Sequence, residues 1–278
     1  MLRQANSFSS IPAAWAGITV LITGLLWLLT DPFTQNPLYH DFADQRTLLG
    51  IPHALNVLSN ITFCLVGVWG IALTRNNLEI DTKLIRVYRF LFTGILLTGL
   101  GSAYYHWAPD NATLVWDSLP MTLGFMAFTS AVLMERYSWR SGYALLFPLL
   151  LLGIASVVYW HWSGDLRLYI AVQFGPILLL PLIIWKYPGP GTKWLWLTLA
   201  FYTTAKVLEI VDQPVFLASD GMVSGHTLKH LAAAFAALML AIKFSKHVPG
   251  QARTPGKRGT AAGDPRPETK SASKFPGT

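Results

Sequence analysis

Three histidines, one carboxylate and one hydroxyl carry the chemistry that this chain's spacing makes available. Ser102 and His106 stand four residues apart, and so do His226 and His230. Residues four apart on a helix share a face, one turn from each other. Two imidazoles so placed suit one metal ion. Between His106 and Asp117 lies Ala108-Pro109-Asp110-Asn111, a run of strong helix breakers that reads as a tight turn. Asp117 then falls six residues past that turn, about 9 Å down the next helix at ~1.5 Å per residue. Ser102 is at a comparable depth before the turn, and His226 and His230 open the last apolar helix at the same end. Three neutral imidazoles would leave a fourth zinc position open, as catalytic sites do. Zinc lowers the pKa of bound water and polarises a carbonyl. Asp117 is placed to take the water's proton or to protonate a leaving group, and Ser102 to donate to an oxyanion or the water.

Each of these residues also has a plainer reading. A His-x-x-x-His pair recurs by chance, and Ser102 alone reads as a hydroxyl bonded back to its own helix. Asp117 near a helix start reads as a carboxylate stabilised by the helix dipole. Tyr104, Tyr105, His106 and Trp107 together read as an interfacial aromatic belt. The metal-centre reading rests on their arriving together at one depth.

The elements that must position them are apolar helices. The chain has 278 residues, of which 53% are hydrophobic and only 13% charged, against about 25% charged in an ordinary soluble domain. Its mean hydropathy is +0.42. This composition excludes a disordered protein and argues against a soluble enzyme. A membrane span needs roughly 20 apolar residues, and eight stretches qualify: about 12–30, 56–74, 87–106, 114–133, 143–160, 168–186, 194–211 and 226–244. The first resembles a signal peptide, but Leu28-Leu29-Thr30-Asp31-Pro32 offers no small-residue cleavage site, so it reads as a retained helix. From 247 to 278 the chain turns to Gly, Pro, Ser, Thr, Lys and Arg, the composition of a disordered basic tail. Cys64 is the single cysteine, which excludes an internal disulfide and a cysteine zinc finger.

The net charge of +7 is distributed as a topology signal. Arg75, Lys83, Arg86 and Arg89 fill one loop, Arg136 and Arg140 another, and Lys186 and Lys193 a third, while the alternate loops hold little beyond Arg46 and Arg167. With eight spans this predicts both termini in the cytoplasm and the site at the non-cytoplasmic face. Contact with anionic lipid fits the basic tail, and no nucleic-acid partner is expected. The compact loops suit a bacterial inner membrane or an endomembrane.

Ser102-x-x-x-His106, Asp117 eleven residues on, and His226-x-x-x-His230 in the last span resemble the alkaline ceramidase pattern. That family belongs to a superfamily of seven-span zinc hydrolases that includes the adiponectin receptors. Asn56-Val57-Leu58-Ser59-Asn60 is also similar to the ceramidase signature near the first core helix, and the likeness covers about 39–244. The resemblance implies an all-α integral membrane protein, a seven-helix bundle with one added N-terminal span. Its parts would be residues 1–38, the extra span and loop; 39–246, the ceramidase-like domain; and 247–278, the tail. It implies Zn2+ held by His106, His226 and His230, with Ser102 and Asp117 beside the reacting water. It further implies hydrolysis of the amide of ceramide or a related N-acyl lipid. Calcium-regulated members carry acids before the first core helix and a Glu three residues before the Asn; here that position is His53. Asp41 and Asp44 remain as a possible second site for Ca2+, or as partners of Arg46.

Lys206, Glu209 and Asp212 form a polar stripe on the seventh span, and Lys229 sits between the two late histidines. Glu209 and Asp212 read as groups that orient the ligand histidines, as hydrogen-bond partners for lipid head groups, or as structural ion-pair partners of Lys206 or Lys229, with Lys229 itself a further candidate beside the histidines. Lys229 as a retinal attachment point is disfavoured by the flanking histidines. Two rivals to a lipid amidase stand: a receptor-like or scaffolding membrane protein with a structural zinc, and a transporter. The transporter is disfavoured because no two-fold repeat is visible and the polar residues gather at one end.

Overall fold

In this computed structural model the described residues are Gly24, Trp27, 29–75 and 80–246. Most of the predicted first span, positions 76–79 of the first basic loop and the predicted tail from 247 lie outside them. Among the described residues the structure is helical, with one isolated bridge between Leu48 and Ile51 and no β-strand. The helices are α1 (Ala54–Leu58), α2 (Ile61–Leu73), α3 (Thr82–Trp107), α4 (Asn111–Val132), α5 (Trp139–Ser163), α6 (Arg167–Lys186), α7 (Thr192–Ile210), α8 (Asp212–Ala218) and α9 (Gly225–Ser245). A π-helical turn, Leu133–Tyr137, extends α4.

Six helices are long and apolar enough to cross a membrane, counting α1 and α2 as one, and a seventh follows if α7 and α8 are taken together. One of the expected spans is therefore bent. The span expected at 56–74 runs through with an irregular turn at Ser59-Asn60, where both side chains return to the Asn56 carbonyl, at 3.0 and 2.8 Å. Such local side-chain bonds compete with helix propagation. The span expected at 194–211 bends by 80° into α8, at the point where Glu209 and Asp212 interrupt its apolar run.

The ends are set by short polar residues. Asp81 accepts from the Lys83 N–H at 2.7 Å and starts α3 one turn before the apolar run. Asp110 and Thr113 form a reciprocal capping box that starts α4 directly after the turn. Ser224 accepts from the Thr227 N–H at 3.1 Å and starts α9. Gly164 and Gly191 take positive φ, 74° and 73°, after α5 and before α7.

α3 packs on α2 and α4, α4 on α5 and α6, and α9 on α7 and α2. α6 and α7 touch each other only sparsely, and the cavity described below lies along that seam. The core includes Leu84, Val87, Phe92, Leu146, Leu180, Leu195 and Phe244. At the end away from the histidines, Lys243 of α9 is buried and pairs with Glu135, while Tyr88 of α3 donates to Glu135 at 2.9 Å and accepts from Lys243 at 3.0 Å.

Candidate metal centre and lipid cavity

The α3–α4 hairpin sets half the site. Pro120 has no N–H for the Trp116 carbonyl four residues back, and its ring displaces that carbonyl. Gly101 makes room for it: a Cβ there would lie 1.9 Å from the Trp116 oxygen. This close approach brings Ser102, next to Gly101, towards Asp117, next to Trp116, and both side chains line one cavity. Both are buried. His106 follows one turn beyond Ser102.

The first turns of α9 supply the other half. Asp212 accepts from the backbone N–H of His226 at 2.7 Å and from that of Ala43 at 2.9 Å. Thr227 donates to Asn56 Oδ1 at 2.7 Å. Gly225 lets α9 start against Leu208 and Asp212, whose backbone a Cβ would meet at 2.5 and 2.7 Å.

The result is a cluster of three buried imidazoles whose ligand atoms lie within 4.8 Å of one another. His106 Nε2 is 3.2 Å from His230 Nε2 and 3.3 Å from His226 Nε2. A tetrahedral zinc with Zn–N bonds of about 2.0–2.1 Å has ligand–ligand edges of about 3.3 Å. The tautomer of His230 is fixed by its neighbour. Ser59 Oγ donates to the Asn56 carbonyl at 3.0 Å, so at 2.8 Å from His230 Nδ1 it must accept, leaving the His230 Nε2 lone pair aimed at the cluster. Three imidazole nitrogens gathered at this spacing are a donor set that fits a metal ion.

A segment before α1 covers this cluster. Phe42 is buried with its ring 4.7 Å from that of His106 and 4.5 Å from that of His226. His40 bonds Tyr105 at 2.8 Å and Asn111 at 2.9 Å, which fastens the segment to the α3–α4 turn. Asp41 and Asp44 are each engaged by a neighbouring side chain. Arg46 holds Asp44 through two nitrogens at 2.8 and 2.7 Å, and Gln45 donates to Asp41 at 2.7 Å. The hydrogen bonds from Arg46 hold the Asp44 carboxyl below its usual range against the opposing effect of burial. Arg46 also donates to the Met222 carbonyl at 2.9 Å.

On its other side the cluster opens into a cavity of about 330 Å³ lined by Ser102, Asp117, Glu209, Lys229 and His230. It shares Phe63, Thr98, Met121, Tyr202 and Ala233 with an almost wholly apolar arm of about 130 Å³ that reaches Leu240. From His230 to Leu240 the helix runs about 15 Å at ~1.5 Å per residue. Glu209 Oε2 meets Lys206 and Oε1 meets Lys229, both at 2.6 Å. Lys229 Nζ is 3.4 Å from His226 Nε2.

Of the residues singled out from the sequence, Ser102, His106, Asp117, His226 and His230 come together. Glu209 and Lys229 line the cavity beside them, and Asp212 meets the backbone of His226 rather than its ring. Sequence reasoning missed Ser59 as the partner of His230, although it lay in a quoted motif. It also missed Phe42, whose signal was an aromatic residue isolated between two acids.

Fold and site define a bundle of six or seven membrane-length helices with a buried histidine triad able to hold a metal ion, at the head of an amphipathic cavity. The ceramidase family model matches residues 50–187, about half of the sequence, and the chain belongs to the ceramidase family. The matched region holds Ser102, His106 and Asp117; His226 and His230 are joined to it by the fold. No curated protein matches the chain.

Proposed function

We propose that the protein is a zinc-dependent amidohydrolase that cleaves ceramide or a related N-acyl lipid into an amine and a fatty acid. The observation that carries this reading is the convergence of three buried imidazoles on the Ser102–Asp117 pair at the polar head of a cavity with an apolar arm. His106, His226 and His230 would hold the ion, which when bound lowers the pKa of water and polarises the amide carbonyl. The apolar arm holds the acyl chain and so fixes the amide at the head of the cavity. Asp117 takes the proton of the attacking water, and Ser102 donates a hydrogen bond to the oxyanion as the tetrahedral carbon forms. Asp117 then returns the proton to the leaving nitrogen as the C–N bond breaks. Phe42 and its segment keep bulk water off the cluster.

The same reading places the chain in a membrane by eight spans, with 1–38 as an extra span and loop and 247–278 as a basic tail. Both termini then face the cytoplasm and the site faces the opposite side, which reporter fusions at each end test. The central experiment measures metal content and amide hydrolysis together. About one zinc per chain is expected, lost with turnover in His226→Ala/His230→Ala, while Asp117→Asn keeps zinc and loses turnover. Zinc without turnover of any N-acyl lipid would leave the structural-zinc, receptor-like reading in its place.

A further inference from the structure

The polar wall of the cavity carries charge that amide hydrolysis leaves unused. Lys206 of α7 and Lys229 of α9 both line it and share one carboxylate, Glu209, at 2.6 Å each. An ammonium has three donors, and each lysine spends one of them on Glu209. The other acid on the lining is Asp117, and the ion pairs of both lysines are made with Glu209 rather than with it. Two ammoniums sharing one carboxylate leave one net positive charge on the cavity wall, with or without a metal at the histidines, in apolar surroundings where an uncompensated ion is costly.

From this we infer that the substrate itself carries the missing anion: an N-acyl lipid whose head group bears a carboxylate close to the amide, as an N-acyl amino acid does. This rests on the hydrolase reading above and narrows it. Lys229 Nζ lies 3.4 Å from the metal-facing nitrogen of His226, so its ammonium stands next to the point where the amide reacts. That proximity selects a carboxylate one carbon from the amide nitrogen over an anion at the far end of a long head group. The carboxylate sits against Lys206 and Lys229 while the acyl chain runs down the apolar arm past Met121 and Ala237. The head group of a ceramide, with hydroxyls alone, leaves the charge unmatched.

A carboxylate has a second source in this reaction, the fatty acid product, and the test separates the two. Full-length protein loaded with zinc is assayed on N-lauroylglycine and on the neutral N-lauroylethanolamine, with laurate as inhibitor. A charge-assisted contact predicts a kcat/KM ratio of about 10-fold or more in favour of the acid. Lys206→Met, checked for retained zinc, brings that ratio towards one, and Lys206→Arg restores it. Equal or better cleavage of the neutral amide overturns the inference while leaving the hydrolase intact. A Lys206→Met protein with weaker laurate inhibition but an unchanged ratio overturns it too, by assigning the lysines to the product. Binding to chelated protein, read by tryptophan fluorescence through Trp160 on the cavity wall, is independent of turnover. Tighter binding of N-lauroylglycine that Lys206→Met abolishes supports the anion site even if neither amide is cleaved, and equal binding of both lipids counts against it.

Discussion

Removing the Ser59 hydroxyl isolates a hydrogen bond that orients an imidazole of the histidine triad from behind. In Ser59→Ala the His230 Nδ1–H loses an acceptor at 2.8 Å in a buried setting. The Asn56 carbonyl loses a donor in the same change but keeps Asn60 Nδ2 at 2.8 Å, so the deficit falls on His230. An orphaned buried donor costs about 1–3 kcal/mol. Without metal the ring can escape that cost by moving its proton to Nε2; with metal it cannot, because Nε2 must present its lone pair. The penalty therefore appears in metal affinity and hardly in folding. A 10- to 100-fold weaker zinc Kd is expected, the usual size for losing such a partner, or about 1.4–2.7 kcal/mol. Competition with a chromogenic chelator measures it, with thermal unfolding of the metal-free protein as control and Ser59→Thr as the variant that keeps the hydroxyl. Unchanged zinc affinity in Ser59→Ala would refute the assigned tautomer and the reasoning built on it.

Gly101→Ala forces a methyl against the Trp116 carbonyl, where 1.9 Å is available, so α3 and α4 must separate. Overpacking of this kind costs about 1–3 kcal/mol, and the displacement of Ser102 from Asp117 should lower turnover by about 100-fold, read as Tm and kcat in detergent. Glu135→Gln leaves Lys243 buried without its counter-charge and should cost about 3–5 kcal/mol. The double variant Glu135→Leu/Lys243→Met should recover most of that in a denaturation series. The hydrogen bonds from Arg167 hold the Asp165 carboxyl down at about 2, below its ordinary 3.8. A folded-state value below the unfolded one stabilises above that range and is lost as pH falls from about 4 to about 2. Asp165→Asn should remove that part of the acid sensitivity in unfolding measured across this window.

Hydropathy located the helices because a run of about 20 apolar residues satisfies its own backbone in lipid whatever its neighbours do. The interruptions were less legible. Ser59-Asn60 and Glu209–Asp212 read as polar residues within spans, but whether a helix continues past them depends on partners from other elements. Helical spacing put Ser102 and His106 on one face and His226 and His230 on another, since that periodicity is local. Asp44 shows the opposite case: its type suited a cation, and its fate was decided by Arg46 two residues away together with the Met222 carbonyl far along the chain.

The sequence by itself determined an all-helical bundle, the end of it at which the polar groups gather, and the residue types able to bind a metal and move a proton. Only the tertiary structure decided that three Nε2 atoms meet at 3.2 and 3.3 Å, that Ser59 orients His230, that Phe42 covers the cluster, and that two lysines share Glu209. Local periodicity fixes which face a side chain takes, within a turn or two. The separation between side chains on α1, α3, α7 and α9 is set by how closely those helices pack, and that depends on pairs such as Gly101 and the Trp116 carbonyl. Such pairs have no signature along the chain, because neither residue is informative without the other.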